Sequence, residues 1–526
     1  MTVSTRSFDE IRQALLTHQE VALVDVREEA PFAEGHPLFA ANIPLSRLEL
    51  EVLSRIPRRD TAITLYDNGE GLAALALERF HAMGYSDVKR LEGGLQGWRE
   101  AGGELFIDVN VPSKAFGEWV EHYRQTPSLA AEDVKKLLDA NANVVVLDAR
   151  RFDEYQTMSI PSGISVPGAE LVLRARELAP DPDTQIIVNC AGRTRSIIGT
   201  QSLVNAGIPN PVSALRNGTI GWLLAGQQLD HGQTRRFGPV SNGALHAARA
   251  DARSVADAAG VKRVTRDEWR SWQADATRTT YLFDVRTPEE FEAGHVPGSR
   301  STPGGQLVQE TDHYASVRGA RIVLVDDDGV RANMSASWLA QLGWEVSVLD
   351  GLKPASFSET GPWNAPTPTP WQVEEISAET LRQWQQQGGV VVLDFATSAH
   401  YVKQHIPGAW WALRAELSSA LRKAPAADRY VLTCSSSPLA RLAVPEVEAL
   451  TGKPVFLLRG GTASWIASGF DLESGEHHLA SPRIDRYRRP YEGTDAPREA
   501  MQAYLDWEYG LVEQLGRDGT HGFKVI

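Results

Sequence analysis

Short, continuously apolar runs punctuate the chain, and each ends in an aspartate: VALVDVR (Asp25), VVVLDAR (Asp148), YLFDVR (Asp284) and VVVLDF (Asp394). Runs of this kind lack the alternation of a half-exposed strand and suit strands buried on both faces of a parallel sheet. Eleven residues beyond each Asp stand His36, Ser159, His295 and His405, two of which head the phrases HVPGS and HIPGA. A second apolar run then follows: AITLYD, IIVNC, IVLVD or YVLTC. Its last residue lies 42 positions after the Asp in the first three copies (Asp67, Cys190, Asp326) and 40 after it in the fourth (Cys434). Amphipathic stretches fill the gaps, and SFDE and TRDE fit the capping-box spacing of helix starts, Ser7 to Glu10 and Thr265 to Glu268. Each copy closes on a glycine-containing turn, LEGGLQGW, LRNGTIGW, LDGL or LRGGTASW. Three of these reach a tryptophan (Trp98, Trp222, Trp465), and the third is cut short.

A repeat of roughly 100 residues is too long for a solenoid unit of about 20–50. Each copy therefore predicts an α/β domain of its own, a parallel five-stranded sheet with helices on both faces. The expected domains are 1–104, 128–230, 263–352 and 374–475, followed by a tail at 476–526. Within 105–127, SKAFGEWVEHYRQ predicts a connecting helix. Residues 231–261 form an Ala- and Arg-rich linker, and PWNAPTPTPW at 362–371 predicts an extended, semi-rigid one. In the tail, PREAMQAYLDWEYGLVEQL is helix-like and predicts docking on a neighbour.

Composition narrows the function. The 526 residues are 42% hydrophobic and 23% charged, enough for several cores. A formal net charge of −14 repels polyanions, so neither nucleic acid nor an acidic membrane is an expected partner. No run approaches the ~18 uncharged apolar residues of a membrane span. Two cysteines, far apart in sequence, make no disulfide framework, and a reducing cytoplasm is the expected location.

One of those cysteines has unusual company. In IIVNCAGRTRS a strand ends in Cys190, and Gly192, Arg193 and Arg195 crowd behind it. A strand, a tight loop and a helix direct successive backbone N–H groups toward one point, and the helix dipole adds to this anion cradle. A thiol at its first position is expected to be acidified, from about 8.5 toward about 3.5–7.5. The two arginines add permanent charge and fork-shaped donors for an oxyanion. Such a loop suits a nucleophilic sulfur that meets an anionic partner.

Taken together, Asp-x-Arg at a strand end, Glu-aromatic a few residues on, HIPGA, and the strand-Cys-loop-helix resemble the rhodanese domain, four times over nearly the whole chain. The resemblance implies a sulfurtransferase. Cys190 would take a sulfane sulfur from thiosulfate or a related donor as a persulfide and pass it to cyanide or a thiol. Ala191, Gly192, Arg193, Thr194, Arg195 and Ser196 would form the cradle, with Arg195 the main anion contact. Arg150 and Glu154 would be a structural ion pair beside Asp148. No cofactor or metal is implied, and a homodimer is left open. The loop departs from many members, which place Gly fourth and a basic residue second. It also lacks the Cys-Gly-Ser/Thr-Gly form associated with 3-mercaptopyruvate, which favours thiosulfate.

The other copies differ. DNGEGL and DDDGVR put Asp67 and Asp326 where the cysteine belongs, and a carboxylate carries no persulfide. The calcium-loop reading of DDDG fails at Val330 and for want of a Glu at position twelve. Cys434 is in place, but CSSSPL has no basic residue, Pro438 removes a donor, and Ala396 replaces the Arg of Asp-x-Arg. Cys434 is expected to be at most a weak second site. A cysteine phosphatase or arsenate reductase would want Arg six residues after the Cys, where Ser196 stands. A scaffold or sulfur-relay adaptor is the alternative from another class.

Overall fold

A computed structural model of the chain describes residues 4–368, 372–493 and 495–526. Among them are four five-stranded sheets, one per repeat, and every strand pairing within them is parallel. All four share the order first–fifth–fourth–second–third. In the second domain this order reads Ser128–Leu129, Val212–Leu215, Gln185–Asn189, Val144–Asp148, Ile164–Ser165. The Asp-terminated runs are the second strands and the runs ending at Asp67, Cys190, Asp326 and Cys434 are the fourth. These two lie side by side at the centre of each sheet.

That adjacency positions the site. The second strand's connection leads to the third strand on one side and the fourth strand's to the fifth on the other, so a crevice opens between their carboxyl ends. Cys190 stands at that point, one residue past Asn189.

The repeated motifs fix each domain locally. Both capping boxes form, with Ser7 and Thr265 accepting from the amides of Glu10 and Glu268. His36, His295 and His405 stack on Phe32, Phe291 and Tyr401. Their backbones bridge to Phe106, Glu359 and Glu473, tying down the chain that leaves each domain. Trp98, Trp222 and Trp465 are buried, and each donates its Nε1–H to the carbonyl six residues on (Glu104, Gln228, Asp471). The shortened third repeat has a single 3-10 turn, Pro354–Ser356, in that place.

The linkers are structural members. Val111–Arg124 is a helix that packs along the helix behind Cys190, and Asn242–Ala258 packs between the second and third domains. Residues 362–368 carry no regular secondary structure, and the end of the Pro/Thr segment, 369–371, lies outside the described residues. The tail forms two helices, Arg498–Tyr509 and Leu511–Asp518. Leu511 and Leu515 enter an apolar core shared by the first and third domains. The fourth domain docks on the first through Arg414, which grips Glu49 with two bonds of 2.6 and 2.9 Å. Arg331 of the third reaches Glu170 of the second at 2.9 Å.

Candidate active site

The loop from Cys190 to Ser196 joins the strand Gln185–Asn189 to the helix Thr194–Asn205. Below it, the Asp148 carboxylate receives Arg150 through Nε at 2.9 Å and Nη2 at 2.7 Å, and Asn189 Nδ2 at 2.9 Å. The same Arg–Asp clamp recurs at Arg27–Asp25 and Arg286–Asp284. In the fourth domain Ala396 leaves Asp394 without it, and burial pushes that carboxyl up to about 7.

From the side, the glycine turn closes on the loop. The carbonyls of Cys190 and Ala191 accept the amides of Thr219 and Ile220 at 2.9 and 3.0 Å. A Cβ on Gly218, whose φ is +55°, would stand 2.3 Å from the Cys190 carbonyl oxygen. Close approach and left-handed backbone together demand glycine there. The matching glycines Gly94 and Gly461 press on Asp67 and Cys434 in the same way.

The cradle shows its purpose in the copies that lack sulfur. Asp67 accepts backbone N–H bonds from Gly69 at 3.0 Å and Ala73 at 2.8 Å. Asp326 accepts them from Gly329 at 3.0 Å and Ala332 at 2.8 Å. The amide six residues past the first loop position thus faces that position's side chain. Ser196 and Ala440 supply this amide to Cys190 and Cys434. The loop therefore converges its donors on an acceptor attached to its first residue, although in the third domain burial and Asp328 push the Asp326 carboxyl well up.

Three expectations need correction. Arg193 is no anion contact, because its N–H groups are already engaged. Nε and Nη2 bond Glu118 at 2.7 and 2.8 Å, Nη2 also meets Glu121, and Nη1 bonds Asn217 at 3.1 Å and Tyr509 Oη at 2.9 Å. The guanidinium also lies over the Tyr509 ring. The result is a buried clamp joining the loop, the connecting helix and the tail. Second, Glu154 pairs with Arg195 rather than Arg150. The two meet fork to fork at 2.7 and 2.8 Å, which draws the Glu154 carboxyl down to about 2. Third, the Cys190 thiol is not acidified in this closed state. It is 2% exposed, and burial pushes it up. Arg195 and a contact from Sγ to Ser196 Oγ at 3.4 Å work against this, while Glu508 adds to it.

The cover responsible is the tail helix Arg498–Tyr509. Its Arg498 bonds the Leu223 and Leu224 carbonyls, and Met501, Tyr504 and Leu505 pack against Ile220. Tyr504 and Glu508 then lie over Gly192, where a Cβ would meet them at 3.1 and 3.3 Å. Sequence reasoning missed Glu118, Tyr504 and Glu508, whose periodicity marks them only as helical. The repeated glycine turn was the available signal for Gly218.

Beside the loop a polar cavity of about 290 Å³ is bordered by Arg195 and Glu154, by Gln309 and Glu310 of the third domain, and by Arg489 and Tyr491 of the tail. Among the described residues no cluster of three or more His, Cys, Asp or Glu could hold a metal, and no helix is long and apolar enough to cross a membrane.

Cys434 is 6% exposed, and burial pushes its thiol up as well. Backbone amides, those of Ala440 and Ser436 foremost, oppose that shift.

The rhodanese-like domain model matches the chain four times, at 7–101, 130–225, 265–351 and 377–468. The crystal structure of a thiosulfate sulfurtransferase from Pseudomonas aeruginosa superposes with a TM-score of 0.99, at 71% identity and covering 100% of both chains. An uncharacterized protein of Synechocystis is 32% identical over 112 residues, 21% of this chain and 59% of that protein. An HTH-type transcriptional regulator of Mycobacterium tuberculosis is 27% identical over 212 residues, 37% of this chain and 88% of its own length. With matches in every repeat and a full-length structural counterpart, the chain belongs to the rhodanese family, as four tandem copies of its domain.

Proposed function

We propose that the protein is a thiosulfate sulfurtransferase with its working site at Cys190 in the second domain. The observation that carries this is the loop itself. Its four copies direct the same backbone N–H toward the first side chain, and the second alone combines a sulfur there with a paired arginine at Arg195. The full-length likeness to a thiosulfate sulfurtransferase supports the donor.

The chemistry follows from the placement. Once the thiol has lost its proton, Sγ attacks the outer sulfur of thiosulfate and forms an S–S bond. The S–S bond of the donor breaks, and its electron pair leaves with sulfite. The persulfide's outer sulfur takes the position that the Asp67 and Asp326 carboxylate oxygens occupy, facing the Ser196 amide. Cyanide or a thiolate then attacks that sulfur, and the electron pair returns to Sγ. Arg195, on the cavity wall, offers positive charge to the incoming dianion.

The first and third domains serve as scaffold, since a carboxylate fills each cradle. Cys434 has donors but no basic residue in its loop CSSSPL, and Asp394 beneath it is unclamped, so the fourth domain is at most a feeble second site. Thiosulfate:cyanide transfer in Cys190→Ser and Cys434→Ser variants tests the assignment. Cys190→Ser is expected to abolish transfer and Cys434→Ser to leave most of it, whereas the reverse order would sink the reading.

A further inference from the structure

The Glu508 carboxyl is the least accounted-for group at this site. It is 1% exposed, on the inner face of the helix that covers the loop. Oε1 accepts the Tyr504 hydroxyl at 2.9 Å, while Oε2 is buried without a hydrogen-bond partner among the described residues. Oε2 points at the loop, 3.3 Å from where a Cβ on Gly192 would stand, two residues past the nucleophile. A buried carboxyl oxygen without a partner loses its hydration with nothing in return, and in a native protein it calls for an explanation.

We propose that Glu508 holds the Cys190 proton while the sulfur carries the charge: it takes the thiol proton during loading and returns it during discharge. This rests on the Cys190 sulfurtransferase reading above. In loading, Cys–SH, Glu508–COO⁻ and thiosulfate give Cys–S–S⁻, Glu508–COOH and sulfite. In discharge, Cys–S–S⁻, Glu508–COOH and cyanide give Cys–SH, Glu508–COO⁻ and thiocyanate. Charge and protons balance in each half, and no proton need cross the closed site to solvent. Glu508 acts on the Cys190 charge, but Oε2 makes no hydrogen bond to the thiol, so the transfer runs through one bridging water.

The surroundings poise Glu508 for both states. Burial and the nearby Glu118 of the connecting helix push its carboxyl up to about 8. Lys114 of that helix, the Tyr504 hydroxyl of its own helix and Arg193 of the loop pull the other way. The Cys190 thiol in the loop, also raised by burial, feels the Glu508 charge. An acid near 8 is strong enough to be ionised at mildly alkaline pH and weak enough to give its proton back, which is the condition for a relay.

The two half-reactions separate the idea from its alternatives. Loading needs Glu508 ionised, so its single-turnover rate is expected to rise with pH through about 8. Discharge of the pre-formed Cys190 persulfide needs Glu508 protonated, so after correction for the acceptor's own ionisation it is expected to fall through the same pH. Glu508→Gln keeps an oxygen for Tyr504 but holds no exchangeable acid. It should slow both halves about a hundred-fold and remove both limbs. Opposed limbs in the wild-type protein are required whatever the variant's folding, and limbs of the same sign, or limbs that survive in Glu508→Gln, overturn the proposal. Loading Cys190 with polysulfide keeps the discharge arm measurable even if thiosulfate fails as donor, so the two readings fail separately.

Discussion

Asp326 accepts the amide hydrogen of Ala332 at 2.8 Å, filling from its own side chain the cradle that in the second domain awaits a sulfur. The third domain otherwise retains the pairing of the second. Arg331 stands five residues on, as Arg195 does, and meets Glu290 fork to fork as Arg195 meets Glu154. What spoils it is Asp328, at the place of Gly192. Its Oδ1 accepts the amides of Val330 and Arg331 at 2.6 and 3.0 Å, and its Oδ2 holds Arg331 Nε at 2.5 Å. In a Cys190→Ser background, Asp326→Cys alone is therefore expected to stay inert. Asp326→Cys/Asp328→Gly should take up sulfur from thiosulfate, seen as one sulfur atom's mass on the intact protein. Asp67→Cys should stay inert too, because Leu72 stands where the arginine belongs and Glu70 already takes the Asn68 amide. Sulfur uptake by Asp67→Cys would show that the backbone cradle suffices without arginine.

Arg195 and Glu154 act as one unit at the cavity. Arg195→Ala removes the charge offered to the donor together with the partner that draws Glu154 down to about 2, and leaves that carboxyl unpaired from Arg195 beside an incoming dianion. A charge-assisted contact of roughly 1.5–3 kcal/mol predicts a loss of about ten- to a hundred-fold in kcat/KM for thiosulfate. Arg195→Ala/Glu154→Ala should recover part of that loss, since the stranded carboxylate goes with it. Steady-state kinetics of the two variants check this, and a double variant worse than the single would place the role of Glu154 elsewhere.

Much of this was legible in the sequence because the fold is written four times. The spacing from Asp148 to Cys190 marks two central strands, and a capping box at Thr265 marks a helix start, since both signals are local. The ion-pair partners were not legible. Glu154 lies within one helical turn of both Arg150 and Arg151 in sequence, and only the fold brings it to Arg195. Arg193 reads as a free cation until the connecting helix supplies Glu118 from 75 residues away. Nothing local links Glu508 to Gly192, more than 300 residues apart, because tertiary packing alone lays the tail over the loop.

The Arg193 clamp predicts a stability phenotype. Its side chain is 3% exposed and that of Glu118 is 4% exposed. Removing one member of a buried pair strands the other, at a cost of about 3–5 kcal/mol. Even with Arg193 present, burial holds the Glu118 carboxyl up at about 7. Arg193→Ala should push it higher, so the stranded group takes a proton at low pH and the damage is relieved there. The variant is expected to lose more stability at pH 8 than at pH 5, read by thermal unfolding at the two values. Equal losses would mean that Glu118 is not the group left unpaired.

Asp394 supplies a second pH signature, confined to the fourth domain. Its carboxyl is 1% exposed, lacks the clamp that Arg150 gives Asp148, and is pushed by burial up to about 7 against an ordinary 3.8. A carboxyl whose folded value is raised favours folding fully at a pH below its unfolded value, and that contribution fades as pH climbs through the folded one. The fourth domain should therefore lose stability between about pH 4 and pH 7 and level off above, by at most about 4 kcal/mol at ~1.4 kcal/mol per unit. Asp394→Asn removes the ionisable group and is expected to abolish this slope, leaving stability near neutral pH above that of the parent. Ala396→Arg should flatten the slope as well, by giving the carboxylate the partner its counterparts have. Unfolding of several domains overlaps in a thermal scan, so amide exchange along the strand Val390–Asp394 is the measurement that resolves it. Protection that is independent of pH in the parent would show that Asp394 ionises freely and that burial alone does not govern it.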